Sequence, residues 1–132
     1  MGVPITVSFD QVQAWVLPSD LSAASQARGH VAAACAGMPE ETVYAARLLV
    51  TELVSNAVLH GRGTVLLTVA RHQASVRVEV HDESPQQPRI QDGSRLAEHG
   101  AGLRLVSAMA GGWGSELLDD GRPGKRVWFT LP

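Results

Sequence analysis

The sequence predicts an α+β domain: a two-layer α/β sandwich with helices packed on one face of a mixed, mostly antiparallel sheet. Three observations carry this. Helix-forming segments gather between Leu21 and His60, in the first half of the chain. Valine-rich alternating runs follow in the second half, the first two joined by a two-residue connection, and helices beside such a meander form two layers. The 132 residues suit a single domain spanning 1–132, long enough to bury roughly two-thirds of its unfolded surface without a disulfide or metal staple.

Taken in order, Val3–Phe9 alternates loosely and is rich in β-branched residues, so it reads as a strand. Pro18-Ser19-Asp20 offers a helix start, with Ser19 or Asp20 able to accept from exposed backbone N–H groups. The Ala-rich stretch Leu21–Ala36 is strongly helix-forming, and Gly37-Met38-Pro39 ends it. A second helix runs over Glu40–His60. Glu40 and Glu41 complement the dipole of its first turn, and Gly61-Arg62-Gly63 stops it. Thr64–His72 and Ser75–His81 then alternate as a hairpin around Gln73-Ala74. Asp82–His99 loses all periodicity, and a loop of that length in a compact domain is often functional. Leu103–Ala110 reads as a helix behind Gly100-Ala101-Gly102. Trp113–Leu118 and Arg126–Leu131 read as closing strands around an Asp119–Gly124 turn.

Composition excludes several function classes. Eleven Lys+Arg against thirteen Asp+Glu, a net charge of −2, argue against a broad electrostatic grip on nucleic acid or anionic lipid. The single cysteine, Cys35, can form neither an internal disulfide nor a cysteine-built zinc site, and its Ala-rich surroundings suggest a small buried hydrophobe. No apolar run approaches the ~20 residues of a membrane span. The start Met1-Gly2-Val3-Pro4 lacks the basic and apolar stretches of a secretory signal. A soluble cytoplasmic protein is the expectation. The histidines lack compact metal spacing, no Gly-x-Ser-x-Gly elbow occurs, and neither the P-loop nor the dinucleotide fingerprint is present. Trp15, Trp113 and Trp128 are scattered and fit a core better than a base-stacking platform.

Three constellations could carry chemistry. On the long helix, Glu52, Asn56 and His60 are spaced four apart and form one polar stripe, while Val43, Val50, Leu53, Val54 and Ala57 gather on another arc. The Asn56 carbonyl oxygen suits a hard cation such as Mg²⁺, and Glu52 could orient or deprotonate a nucleophile. Such a stripe also fits a plain solvated helix face, and a histidine at a helix C-terminus is favourable by itself. Second, Asp82 closes a half-buried strand, where a carboxylate can accept from an exocyclic amine such as that of adenine. An aspartate there also commonly opens a turn through its own side chain. Third, Gly100-Ala101-Gly102-Leu103 opens a helix, and glycines at a helix N-terminus let backbone N–H groups approach phosphate. The ordinary alternative is a hinge and helix start. The three follow one another in an order that would supply metal, base and phosphate contacts to a single ligand.

These residues resemble a known family. Leu49–Gly61, containing Glu52, Asn56 and His60, is similar to the N box of the ATPase domain shared by gyrase, heat-shock chaperones, histidine kinases and the MutL proteins. Asp82 with the following Ser84-Pro85 resembles its first glycine box, Gly100–Val106 its second, and Gly124–Phe129 its closing strand. Within that superfamily the chain looks most like the bacterial anti-sigma factor serine/threonine kinases of the actinobacterial type. The resemblance implies ATP and Mg²⁺ as ligands, with Asn56 on the metal, Glu52 as the base for the acceptor hydroxyl, and Asp82 on the adenine amine. Gly100, Ala101, Gly102 and Leu103 would form the phosphate turn, and Pro85–His99 the lid. His60 and Ser84 lie within these boxes and complete the nucleotide-binding candidates. The implied partners are an anti-anti-sigma factor, phosphorylated on Ser or Thr, and a sigma factor; relatives often pair, so a homodimer is the assembly to test. One departure is plain. The first glycine box usually reads Asp-x-Gly, and here Ser84 replaces the glycine, restricting close backbone approach. That substitution favours the alternative of a non-catalytic ATP-binding switch or adaptor acting by protein binding.

Overall fold

The computed structural model describes residues 11–85, 108–118 and 123–132. Its elements are β1 (Gln11–Leu17), α1 (Ser22–Ala34), α2 (Glu40–His60), β2 (Val65–His72), β3 (Ser75–Asp82), β4 (Gly112–Leu117) and β5 (Lys125–Leu131). The strands form one five-stranded sheet in the order β1-β2-β3-β5-β4. Every pairing among the described residues is antiparallel. The two-layer α+β architecture expected from the sequence is the one observed.

Helix α2 occupies the expected Glu40–His60, begun at Pro39 with Glu40 and Glu41 in its first turn and stopped at Gly61. Ala45, Ala46, Leu49, Val50, Leu53, Val54 and Ala57 form its buried arc. At 21 residues with a mean hydropathy of 1.2 over its most apolar stretch, α2 meets the length and composition of a membrane span. This narrows the expectation drawn from apolar runs, although its buried arc packs against α1 and the sheet as a core helix does. Helix α1 is shorter at both ends than Leu21–Ala36. Asp20 starts it: its carboxylate accepts from the Ser22 hydroxyl at 2.5 Å and from the Ser22 N–H at 2.8 Å, and these bonds, the hydroxyl's first, hold the Asp20 carboxyl below its usual range. At the far end the Arg71 guanidinium, reaching from β2, donates to the carbonyls of Ala34 (3.2 Å) and Ala36 (2.8 Å), which the helix itself leaves unpaired. The buried face of α1 is Ala23, Ala27, Val31 and Ala34, small side chains that let it lie close on α2.

The hairpin β2–β3 turns at Gln73, which adopts φ 56°. Its inward rows are Val65, Leu67, Val69 and Val76, Val78, Val80, Asp82, and β5 adds Lys125, Val127, Phe129 and Leu131. Phe129, Val78 and Leu67 are fully buried beneath the helices. Two expectations shift. The first strand is β1 at Gln11–Leu17, a segment the sequence reading left unassigned, while Val3–Phe9 lies outside the described residues. Trp128 is not a core residue. It projects with Glu79, its pairing partner, onto the opposite sheet face, where the Arg77 guanidinium lies 4.2 Å above its ring. Trp113 and Trp15 do pack against the core, Trp15 stacking on His30 with ring centroids 4.6 Å apart. Cys35 is buried as expected.

Candidate functional site

The site is built where three elements end together. Helix α2 arrives at Gly61, β3 ends at Asp82 and β5 begins at Lys125, and the last two are paired residues in the sheet. Asp82 lies hard against the helix end, since a Cβ on Gly61 would stand 2.6 Å from the Asp82 carboxyl carbon. Only glycine fits there. The next residues of the two segments are tied as well: the Glu83 N–H donates to the Arg62 carbonyl at 2.8 Å, and the Thr64 N–H donates to the Glu83 carboxylate at 2.7 Å. These bonds fix the end of α2 to the end of β3.

Asp82, Ser84 and Lys125 are the buried polar side chains among the described residues, at 3%, 7% and 5% exposure. The Lys125 ammonium sits 2.9 Å from Asp82 Oδ2 and 3.0 Å from Oδ1. The Ser84 N–H donates to Oδ1 at 2.7 Å, so Asp82 does open a turn through its own side chain. Burying one of these charges alone would be costly, and the pair together with the turn bond offsets that cost. Gly124 carries the backbone across this point at φ 139°, where a Cβ would meet the Asp82 carbonyl oxygen at 2.5 Å.

The polar stripe of α2 leads to this junction. Glu52 and Asn56 are half-buried and His60 is exposed, immediately before Gly61. By helical rise, Asn56 stands about 6 Å and Glu52 about 12 Å from His60 along the axis. Asn56 makes no side-chain hydrogen bond among the described residues. The fold therefore brings the His60 end of the helix stripe to Asp82 and Ser84, with Asn56 and Glu52 about one and two turns back along α2. Gly100, Ala101, Gly102 and Leu103, together with Gln86–His99 of the expected lid, lie outside the described residues.

Lys125 is the site residue that sequence reasoning missed. Its signal was present, since lysine falls in phase with the inward row Val127, Phe129, Leu131 just as Asp82 falls in phase with Val76, Val78, Val80. Opposite charges at matched inward positions of two strands announce a buried pair once the strands are known to be neighbours. That adjacency, β3 beside β5 with β4 outside, is a matter of topology rather than local pattern.

The donor set suits a nucleotide bound with a hard cation. No group of three or more His, Cys, Asp or Glu occurs among the described residues, and Mg²⁺ commonly relies on one or two protein oxygens plus phosphate and water. Residues 16–130 match the family model described as the histidine kinase-like ATPase domain, and the chain belongs to that family. Among solved structures it is similar to the RsbU and RsbW domains of Rv1364c from Mycobacterium tuberculosis, with a TM-score of 0.68 at 19% identity. That match covers 92% of this chain and 32% of the other, so the chain spans about a third of the length of that structure. No curated protein sequence matches it.

Proposed function

We propose that this chain is a single ATP-binding regulatory domain that acts as a serine/threonine protein kinase on an anti-anti-sigma partner and thereby controls the availability of a sigma factor. The observation that carries the reading is the Glu52–Asn56–His60 stripe, spaced four apart on α2 off its buried arc and running toward the junction that holds Asp82. The similarity to a structure named for an RsbW domain supports the same family of roles.

In this reading Asn56 holds Mg²⁺ on the ATP phosphates, which neutralises charge on the transferred group. Asp82 accepts from the adenine amine. Glu52 takes the proton of the acceptor hydroxyl as its oxygen bonds to the γ-phosphorus and the bond to the ADP oxygen breaks. Gly100, Ala101, Gly102 and Leu103 supply the phosphate turn, with His60 and Ser84 bordering the nucleotide. ATP supply places the protein in the cytoplasm. Calorimetry with MgATP and transfer of labelled γ-phosphate to candidate anti-anti-sigma proteins test the assignment. Asn56→Ala is expected to abolish Mg²⁺-dependent ATP binding, and unchanged affinity overturns the nucleotide reading. Glu52→Gln is expected to spare binding and remove transfer; continued transfer at the parental rate removes Glu52 as the base.

A second reading has its own support. Ser84 stands where the family has glycine, and its N–H is bonded to Asp82. A domain that binds ATP and a partner yet transfers nothing would tolerate both. Nucleotide binding without label transfer to any partner would identify it.

A further inference from the structure

We propose that Lys125 is a second base-reading residue, donating a hydrogen bond to the acceptor ring nitrogen of adenine while Asp82 accepts from the neighbouring amine. The inference rests on the nucleotide reading above and adds to it a residue whose ammonium is paired with Asp82.

The argument starts from what the pair uses and what it leaves. A carboxylate offers about four acceptor positions and an ammonium three donors. Asp82 Oδ1 takes the Ser84 N–H and the ammonium, and Oδ2 takes the ammonium alone. One acceptor position on Oδ2 and one N–H of Lys125 thus have no partner among the described residues. A spare acceptor beside a spare donor is the complement of a donor–acceptor edge, which adenine presents as its 6-amino group and N1. With Asp82 alone, the amine would be recognised and N1 left to water. With the lysine paired to it, both atoms are read at once.

Stability alone explains the pair poorly. A buried ion pair is often no more stabilising than well-packed apolar residues of the same volume. Both charges occupy inward positions of rows that are otherwise Val, Phe and Leu. The backbone, moreover, is fitted to Asp82. Gly61 approaches its carboxylate where any Cβ would collide, the Ser84 N–H holds Oδ1, and Gly124 lies as close to its backbone carbonyl. Positions for both charged ends are fixed before any ligand arrives. At 3% and 5% exposure the surroundings are dry, where each hydrogen bond to a ligand counts for more than in water.

The test uses ATP and 1-deaza-ATP, which keeps the amine and loses the N1 acceptor, bound to the intact protein with Mg²⁺ and followed by calorimetry. The expected result is roughly tenfold or more tighter binding of ATP, the size of one charge-assisted hydrogen bond. Lys125→Met is expected to bring ATP down to the affinity of 1-deaza-ATP while leaving the latter nearly unchanged. Because that variant strands the Asp82 charge, Asp82→Asn/Lys125→Met, which removes both charges together, carries the same readout and is expected to show no preference between the two nucleotides. Equal binding of ATP and 1-deaza-ATP by the parental protein overturns the role of Lys125 and leaves the pair a structural clamp, with ATP binding itself intact. A persistent preference in both variants overturns it too. Failure of the parental protein to bind either nucleotide overturns the nucleotide reading and this inference with it.

Discussion

Glu79→Gln should destabilise the protein at neutral pH by an amount that shrinks in acid. Glu79 lies on the sheet face away from the helices, its side chain 16% exposed, between Arg77 Nε at 2.6 Å and His81 Nε2 at 3.1 Å. Arg126 Nη1 lies farther off at 4.0 Å. The His81 hydrogen bond first, and then Arg77, outweigh the effect of burial and hold the Glu79 carboxyl at about 2, against an ordinary 4.5. At about 1.36 kcal/mol per pH unit, that difference corresponds to ~3 kcal/mol. The Arg77 and Arg126 side chains are 34% and 36% exposed, so water screens the interaction and about 1–2 kcal/mol is the realistic size. The sign follows from linkage. A carboxyl whose folded value lies below its unfolded one contributes fully above 4.5, and the contribution is lost as pH falls through 4.5 toward 2. Urea denaturation followed by tryptophan fluorescence, at steps between pH 7 and pH 3, measures the gap between the two proteins. It should be about 1–2 kcal/mol at pH 7 and fall by more than half by pH 3. A gap that is constant across that range, or widens in acid, refutes the assignment of this stability to the ionised Glu79.

Three further outcomes follow from packing. Gly29→Ala should raise stability by about 0.5–1 kcal/mol in thermal unfolding, because Gly29 lies within α1 and a Cβ there meets nothing within 4 Å. Phe129→Ala should cost about 3–5 kcal/mol in denaturant unfolding, since Phe129 is the largest fully buried side chain, at 0% exposure. Cys35 should react with a thiol reagent at pH 8 only as fast as the protein unfolds. Burial pushes its thiol up from the usual range, and the side chain is 0% exposed; rapid labelling of the native protein would contradict this.

The sequence was most legible where signals are local and agree with one another. Helix α2 matched residue for residue because an acidic first turn, an apolar arc and a glycine stop all marked the same segment. The hairpin β2–β3 was nearly as plain. β1 was not, because its alternation misleads. Val12 and Val16 are exposed, at 56% and 70%, as are Gln11, Gln13 and Ala14, whereas Trp15 and Leu17 face the core. A strand that puts valines outward and is held by pairing with the distant β2, from Leu17↔Val65 to Gln11↔Arg71, gives little sign of itself in a short window. For the candidate site, Glu52, Asn56 and Asp82 were proposed from residue type and spacing. Lys125 escaped because its meaning depends on which strand lies beside it.

That dependence bears on how the site does two things at once. Asp82 opens the turn after β3, closes a buried pair with β5, and lies against the glycine that ends α2. Its carboxylate is thus a fixed part of the frame, and a ligand that used its remaining acceptor position would be read by a group that does not need to move. Electrostatic recognition gains most from such prior placement, because the cost of orienting the dipoles is met in folding. The same placement joins fold and function, so that Asp82→Asn alone would strand the Lys125 ammonium in the interior and lower stability along with any binding. Asn56 and Glu52 stand apart from this. They lie half-exposed on α2, off its buried arc, and their replacement leaves the core rows intact. The metal and base roles proposed for the helix stripe can therefore be separated from folding by single substitutions, whereas the recognition proposed for the Asp82–Lys125 pair is separated from it by changing the ligand or by removing both charges together.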